Sequence, residues 1–409
     1  MRLPTAAVLG LIVAPAIAAA QTGPLPKATM PIATISAAVE GNNAFALDLY
    51  RQLHSQPGNL FCSPESISTA FAMAYAGARG QTASQIASVF HFALPPAELH
   101  PAMGGLLSAM NEKNPNYQLS VADALWAQQG QNFQPAYLKL VETNYGAGFH
   151  QVNFQLSPEN VRTTINKWIE SRTNDKIKNL LAPGIVTPQT RLVLTNAIYF
   201  KGDWLSPFDK ASTQDGDFHL TASRAVKTPL MHNSSNFTFF DGGTFQALEL
   251  PYKGGALSMV ILLPKKIDGL PALEQSLTPE QLAGWLSKLG PEPQVAVTLP
   301  RFTMTKEFEL SNTLSAMGMP KAFGAAADFS GMTGKPGFAI SAAIHKAFVD
   351  VNETGTEAAA ATSIVMRATA MRFEPPPIIF DADHPFLFLI RDTRTGSILF
   401  LGRVADPTK

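Results

Sequence analysis

Eight histidines, at positions 54, 91, 100, 150, 219, 232, 345 and 384, are where a metal site or a hydrolase would begin. No two stand three or four residues apart, the spacing that sets zinc ligands on one helical face, so neither metal nor cofactor is expected. Gly331-Met332-Thr333-Gly334-Lys335 hints at a phosphate loop, but the first glycine of GxxxxGK is missing and Pro336 stands where Ser or Thr belongs, so it reads as a turn. Neither a G-x-S-x-G elbow nor an H-E-x-x-H helix occurs. As an enzyme the chain has almost nothing to work with.

One segment is unusual in another way. Glu353-Thr354-Gly355-Thr356-Glu357-Ala358-Ala359-Ala360-Ala361-Thr362-Ser363-Ile364-Val365-Met366-Arg367 begins small, turns β-branched and runs on to Pro375-Pro376-Pro377. The alanines favour helix locally, yet the same letters suit a strand. As a strand, one face carries Thr356, Ala358, Ala360, Thr362, Ile364 and Met366, and the other carries Glu357, Ala359, Ala361, Ser363, Val365 and Arg367. Both charges fall on one face, as a segment needs if it lies exposed in one state and slots into a sheet in another. An ordinary alanine-rich surface loop fits the same letters.

The elements around it come from 409 residues, 46% hydrophobic and 15% charged, enough for a large core. Residues 1–20 read as a signal peptide, with Arg2, an apolar stretch from Leu3 to Ile17 broken by Pro4 and Pro15, and Ala18-Ala19-Ala20 as the cleavage site. Residues 21–40 read as a tail and 41–409 as one domain. No later apolar run approaches the roughly 20 residues of a membrane helix, so the expected product is secreted or periplasmic, in the extracellular space or its equivalent. Cys62 is the only cysteine, so no intrachain disulfide forms and its apolar neighbours predict a buried thiol. Basic and acidic residues number 31 each, with no Lys/Arg-rich run, which argues against nucleic acid or a heparin-like polyanion as partner.

Helical patterns dominate the first half: Asn43 to Leu53, then Ser63 to Ala78 with Ser63 as N-cap and Pro64 at the first helical position. The second half reads as strands at Leu192–Ile198, Gln246–Leu250, Ala256–Leu263, Gln294–Leu299, Ala343–Val351, Phe386–Ile390 and Ile398–Val404, with a hairpin turn at Asp392–Gly396. No repeat or linker divides the chain, so a single α+β domain is expected.

Five motifs in order carry a family resemblance. They are Asn59-Leu60-Phe61-Cys62-Ser63-Pro64-Glu65-Ser66-Ile67, Gly77-Ala78-Arg79-Gly80-Gln81-Thr82, Leu194-Thr195-Asn196-Ala197-Ile198-Tyr199-Phe200-Lys201-Gly202-Asp203-Trp204, the hinge from Glu353 to Thr362, and Phe380-Asp381-Ala382-Asp383-His384-Pro385-Phe386-Leu387-Phe388 with Gly402-Arg403-Val404 closing it. From about Gly41 to Pro407 the chain resembles the serpins, inhibitors of serine proteases.

The resemblance implies a serpin domain of three β-sheets, about nine helices and an exposed reactive-centre loop near 353–377. It implies a shutter of Ser63, Ser66, Asn196 and His345 beneath the main sheet, although His345 taken alone reads as a satisfied core histidine. It implies a breach of Trp204, Arg301 and Glu353, and a hinge of Glu353, Gly355, Thr356, Glu357, Ala358, Ala359, Ala360, Ala361 and Thr362. The function implied is suicide inhibition: a serine protease attacks the bait bond, and loop insertion traps the acyl-enzyme as a covalent 1:1 complex with a monomeric inhibitor. Counting 16 positions from Glu353 puts the reactive bond at Thr369–Ala370, suited to elastase- or subtilisin-like pockets. A longer register offers Met371, for a chymotrypsin- or elastase-like protease, or Arg372, for a trypsin-like one. A carrier or chaperone serpin, a cysteine-protease inhibitor and an exported hydrolase are the rivals; the clean alanine run speaks against the carrier, and the missing nucleophile and base against the hydrolase.

Overall fold

The computed structural model describes residues 32–146, 148–292, 294–356 and 376–409. Three sheets carry the molecule, as expected, with ten α-helices among the described residues against the nine or so anticipated.

The six-stranded sheet holds the site. Across it, in order, lie β12 (Phe302–Glu309), β13 (Ala342–Asn352), β14 (Gly355–Thr356), β4 (Leu192–Asp203), β2 (Tyr117–Gln128) and β3 (Phe149–Val152). The seven-stranded sheet runs β1 (Leu60–Cys62), β17 (Ile398–Val404), β16 (Phe386–Asp392), β9 (Leu257–Pro264), β8 (Phe245–Pro251), β7 (Thr238–Asp241) and β10 (Gly290–Pro291). The four-stranded sheet runs β15 (Ile378–Asp381), β11 (Val295–Pro300), β6 (Arg224–Ser235) and β5 (Gln214–Thr221).

The helices of the first half are α1 (Ile32–Leu53), α2 (Pro64–Gly77), α3 (Gly80–Val89), α4 (Pro96–Met110), α5 (Pro135–Tyr145) and α6 (Pro158–Arg172). α1 starts within the segment read as a tail. α2 begins where its letters say: Ser63 is extended, its Oγ accepts from the Ser66 amide, and Pro64 fills a position whose N–H would have no partner. Its residues from Pro64 to Ala74 are all buried, so α2 lies inside the molecule under the six-stranded sheet, in contact with β2, β4 and β17. Cys62 is buried beside it.

Both faces of the six-stranded sheet are covered. Leu194, Ile198 and Phe200 of β4 point into the main core with α2, whereas Val193, Ala197 and Tyr199 join a second apolar cluster with Ile165 and Ile169 of α6. Alternate residues therefore serve two cores, and β4 reads as a continuous apolar run.

β4 and β13 meet in an unusual way. Along Val193–Tyr199 and Ala342–Phe348 they pair directly and in parallel. Beyond that ladder β14 sits between them, antiparallel to both, with Gly355 opposite Asp203 and Thr356 opposite Gly202 and Val351.

Candidate functional site

At the end of the sheet where β14 enters, Gly355 has no room for a side chain: a Cβ there would lie 2.1 Å from the Gly202 carbonyl oxygen and 2.7 Å from the Asp203 Cα. Glycine lets the backbone come that close to β4. Thr356 follows, fully buried, its hydroxyl 2.7 Å from the Tyr252 hydroxyl.

Tyr252 stacks on Trp204, ring centres 4.5 Å apart and planes 14° off parallel. Trp204 Nε1 donates to the Asn352 carbonyl at 3.0 Å, and its backbone N–H donates to the Thr354 carbonyl at 2.9 Å. Trp204 thus ties the end of β4 to the turn between β13 and β14 twice, by its indole to Asn352 and by its backbone to Thr354. Replacing Tyr252 by Phe removes the Thr356 partner and leaves a buried hydroxyl alone; urea unfolding is expected to show a loss of about 1–2 kcal/mol, and an unchanged midpoint would mean that the contact is idle.

Glu353 lies in that turn with its side chain buried. Arg301, on the connection from β11 to β12 and 44% exposed, donates to its Oε1, as does Thr213 Oγ1 at 2.8 Å. Burial pulls the carboxyl upward, but these donors and the backbone outweigh it and hold Glu353 below the usual glutamate range. A pair with one partner so exposed is screened, so Arg301→Met is expected to cost about 1 kcal/mol or less in urea unfolding, and a loss of several would assign it a structural role.

Six residues back along β4 and β13 from Thr356's partners, a polar cluster meets under the middle of the sheet. Asp123, Asn196, His345 and Phe308 are direct cross-strand partners on β2, β4, β13 and β12. His345 Nε2 accepts from the Ser63 N–H at 3.1 Å, so its proton is on Nδ1, which donates to Asn196 Oδ1. Asn196 Nδ2 then donates to Ser66 Oγ and to Asp123 Oδ1, both at 2.5 Å, and Ser66 Oγ donates to the same Asp123 oxygen at 2.8 Å. Every donor in the chain leads to Asp123.

Burial lowers His345 to about 3, so the ring stays neutral near physiological pH. Burial also raises Asp123 well above the carboxylate range and pushes nearby Glu65 up to about 7.

The residues singled out in the sequence therefore come together in two places. Ser63, Ser66, Asn196 and His345 share one network, and Trp204, Arg301 and Glu353 surround one turn with Gly355 and Thr356. Glu357, Ala358, Ala359, Ala360, Ala361 and Thr362, together with Thr369, Ala370, Met371 and Arg372, lie outside the described residues. Sequence reasoning missed Tyr252 and Asp123. For Asp123 a signal existed, a lone acid inside Leu119-Ser120-Val121-Ala122-Asp123-Ala124-Leu125, but it required seeing β2 as a strand.

A three-sheet α+β domain with a glycine-led strand stub wedged between two parallel strands is the architecture of a serpin. The chain belongs to that family, matching its description as serpin (serine protease inhibitor) across residues 40–407. It is 41% identical to human leukocyte elastase inhibitor over 379 residues, 90% of this chain and 98% of that one. Human serpin B4 is 40% identical over 389 residues, covering 90% and 99%. Among solved structures, Serpin48 of the insect Tenebrio molitor superposes with a TM-score of 0.81 at 34% identity over 90% of this chain and 98% of that one. Such relatives are protease inhibitors, not enzymes. Among the described residues no helix is long and apolar enough to cross a membrane.

Proposed function

We propose that the protein is an exported, monomeric suicide inhibitor of serine proteases that traps its target by inserting its cleaved loop between β4 and β13. The observation that carries this reading is the seating of Gly355 and Thr356 between those strands, antiparallel to each.

The register of that stub defines a path. Carried forward one residue per step, it sets Ala358 opposite Phe200 and Val349, Ala360 opposite Ile198 and Ala347, and Thr362 opposite both Asn196 and His345. Phe200 and Ile198 face the main core, so Thr356 and the small residues at 358, 360 and 362 take the buried face. Glu357 takes the other face, between Lys201 and Asp350, in keeping with the parity of the sequence.

Insertion breaks the parallel ladder of seven residue pairs between β4 and β13 and replaces it with two antiparallel ladders. It also buries apolar surface, so the inserted form lies downhill. In this reading Ser63, Ser66, Asn196 and His345 act as the shutter that resists opening, and Trp204, Arg301 and Glu353 as the breach where insertion starts. A protease attacking Thr369–Ala370, or Met371 or Arg372 in a longer register, forms an acyl-enzyme; about 14 inserted residues at 3.3 Å each carry it roughly 46 Å before water releases it. Export rests on Arg2, the apolar stretch from Leu3 to Ile17 and the Ala18-Ala19-Ala20 site.

Limited proteolysis within the loop tests the insertion step without a target enzyme. The cleaved chain is expected to unfold roughly 10 °C or more above the intact chain, because new ladders and burial are gained. A cleaved chain that melts at or below the intact midpoint would overturn the reading.

A further inference from the structure

Asp123 is the one carboxylate in the row of side chains that spans the β4–β13 seam, and it has an odd environment. Its Oδ1 accepts two hydrogen bonds, from Ser66 and Asn196, while its Oδ2 is sealed from solvent with no partner. Nothing about the fold requires a charge there.

The hydrogen-bond directions show what that charge does. Only His345 Nδ1–H to Asn196 Oδ1 links β13 to β4 among these side chains, and Asn196 passes its own hydrogens to Asp123. An amide that donates to a carboxylate becomes a better acceptor at its oxygen, because bonds in such a chain polarise one another and charge-assisted ones are the stronger kind. Ionised Asp123 thus tightens the bond across the seam that has to open. Protonated Asp123 loosens it.

We propose that Asp123 is a pH-sensitive latch on the six-stranded sheet: ionised, it holds β4 and β13 together; protonated, it lets a strand in faster. The proposal rests on the insertion reading above and adds a control to it.

The groups facing Asp123 permit this behaviour. From α2 come Ser66 and Glu65, from β4 Asn196, and from β13 His345; Glu65 in turn accepts from Ser397 and feels Asp392. The groups that act on Asp123 are burial, Ser66, Asn196 and the like charge of Glu65, with no cation among them. His345 is neutral throughout the relevant range. The sign follows from what opening removes. Asp123 sits on β2, on the far side of β4 from the seam, and keeps its burial and its donors Ser66 and Asn196. The His345–Asn196 bond that its ionised form strengthens is lost, so opening takes up a proton and speeds up as pH falls through the Asp123 pKa. Burial lifts that pKa well above its ordinary value.

The test uses the full chain and a synthetic peptide copying residues 356–366 with Gln in place of Glu357, so that the probe carries no titrating side chain. Its annealing rate is followed on native gels from pH 5.5 to 8.5. Annealing is expected to be roughly tenfold faster at the acid end, and Asp123→Asn is expected to anneal at the fast rate at every pH, while Glu65→Gln keeps a pH-dependent rate. A flat profile in the natural chain, a profile retained in Asp123→Asn, or one abolished by Glu65→Gln would each overturn the latch while leaving insertion standing. Failure to anneal at any pH, with no thermal gain on loop cleavage, would sink both.

Discussion

Thr356→Arg is expected to turn the inhibitor into a substrate: the protease still cuts the loop, but the fraction of encounters ending in a trapped complex falls at least tenfold. Thr356 is fully buried against Tyr252, between two strands, on the face that points to the main core. A guanidinium there is either an unpaired buried charge, costing several kcal/mol, or it pushes the stub out of the sheet. Either way the first step of insertion slows, and every 1.36 kcal/mol of added barrier is a factor of ten in the race against hydrolysis. Titrating the variant against a protease and counting inhibitor consumed per enzyme silenced gives the ratio directly. A variant that still silences its target one for one would show that the stub is not where insertion begins.

Trp204→Ala is expected to cost roughly 3–5 kcal/mol of stability, the range for emptying a large aromatic from a packed core. Trp204 is among the largest fully buried side chains, stacked on Tyr252 and edge-on to Phe208 at 6.5 Å. Its loss also removes the donor to the Asn352 carbonyl. Urea unfolding measures the effect. A loss under 1 kcal/mol would mean that the neighbours collapse into the space and that the indole is not what ties the turn to β4.

What could be read from the letters depended on how local the cause was. α2 was legible because Ser63 and Pro64 settle its start by short-range chemistry, and β13, β16 and β17 because their apolar runs end in Gly, Asp or Asn. β2 was not: Ala122, Ala124 and Ala127 have little strand preference, and with cores on both faces Tyr117–Gln128 shows no clean alternation. β5 and β6 were hidden for the opposite reason, since exposed polar residues and Pro229 mask a strand that faces solvent. Missing β2 meant missing Asp123, whose partners Ser66 and Asn196 lie 57 and 73 residues away in sequence. The hinge was legible as a pattern of small residues; why position 355 tolerates only glycine appears only when the Gly202 carbonyl is placed beside it.

The central claim is that a protease is captured rather than merely blocked. Incubating the full chain with an elastase-like and a subtilisin-like protease, then running denaturing gels and weighing the products, tests it most directly. The expected result is a denaturation-resistant band at the mass of the protease plus the inhibitor up to Thr369, that is, the summed mass less the C-terminal peptide starting at Ala370, which is released. A chain cut cleanly within residues 367–373 beside fully active protease, with no denaturation-resistant band, would contradict it.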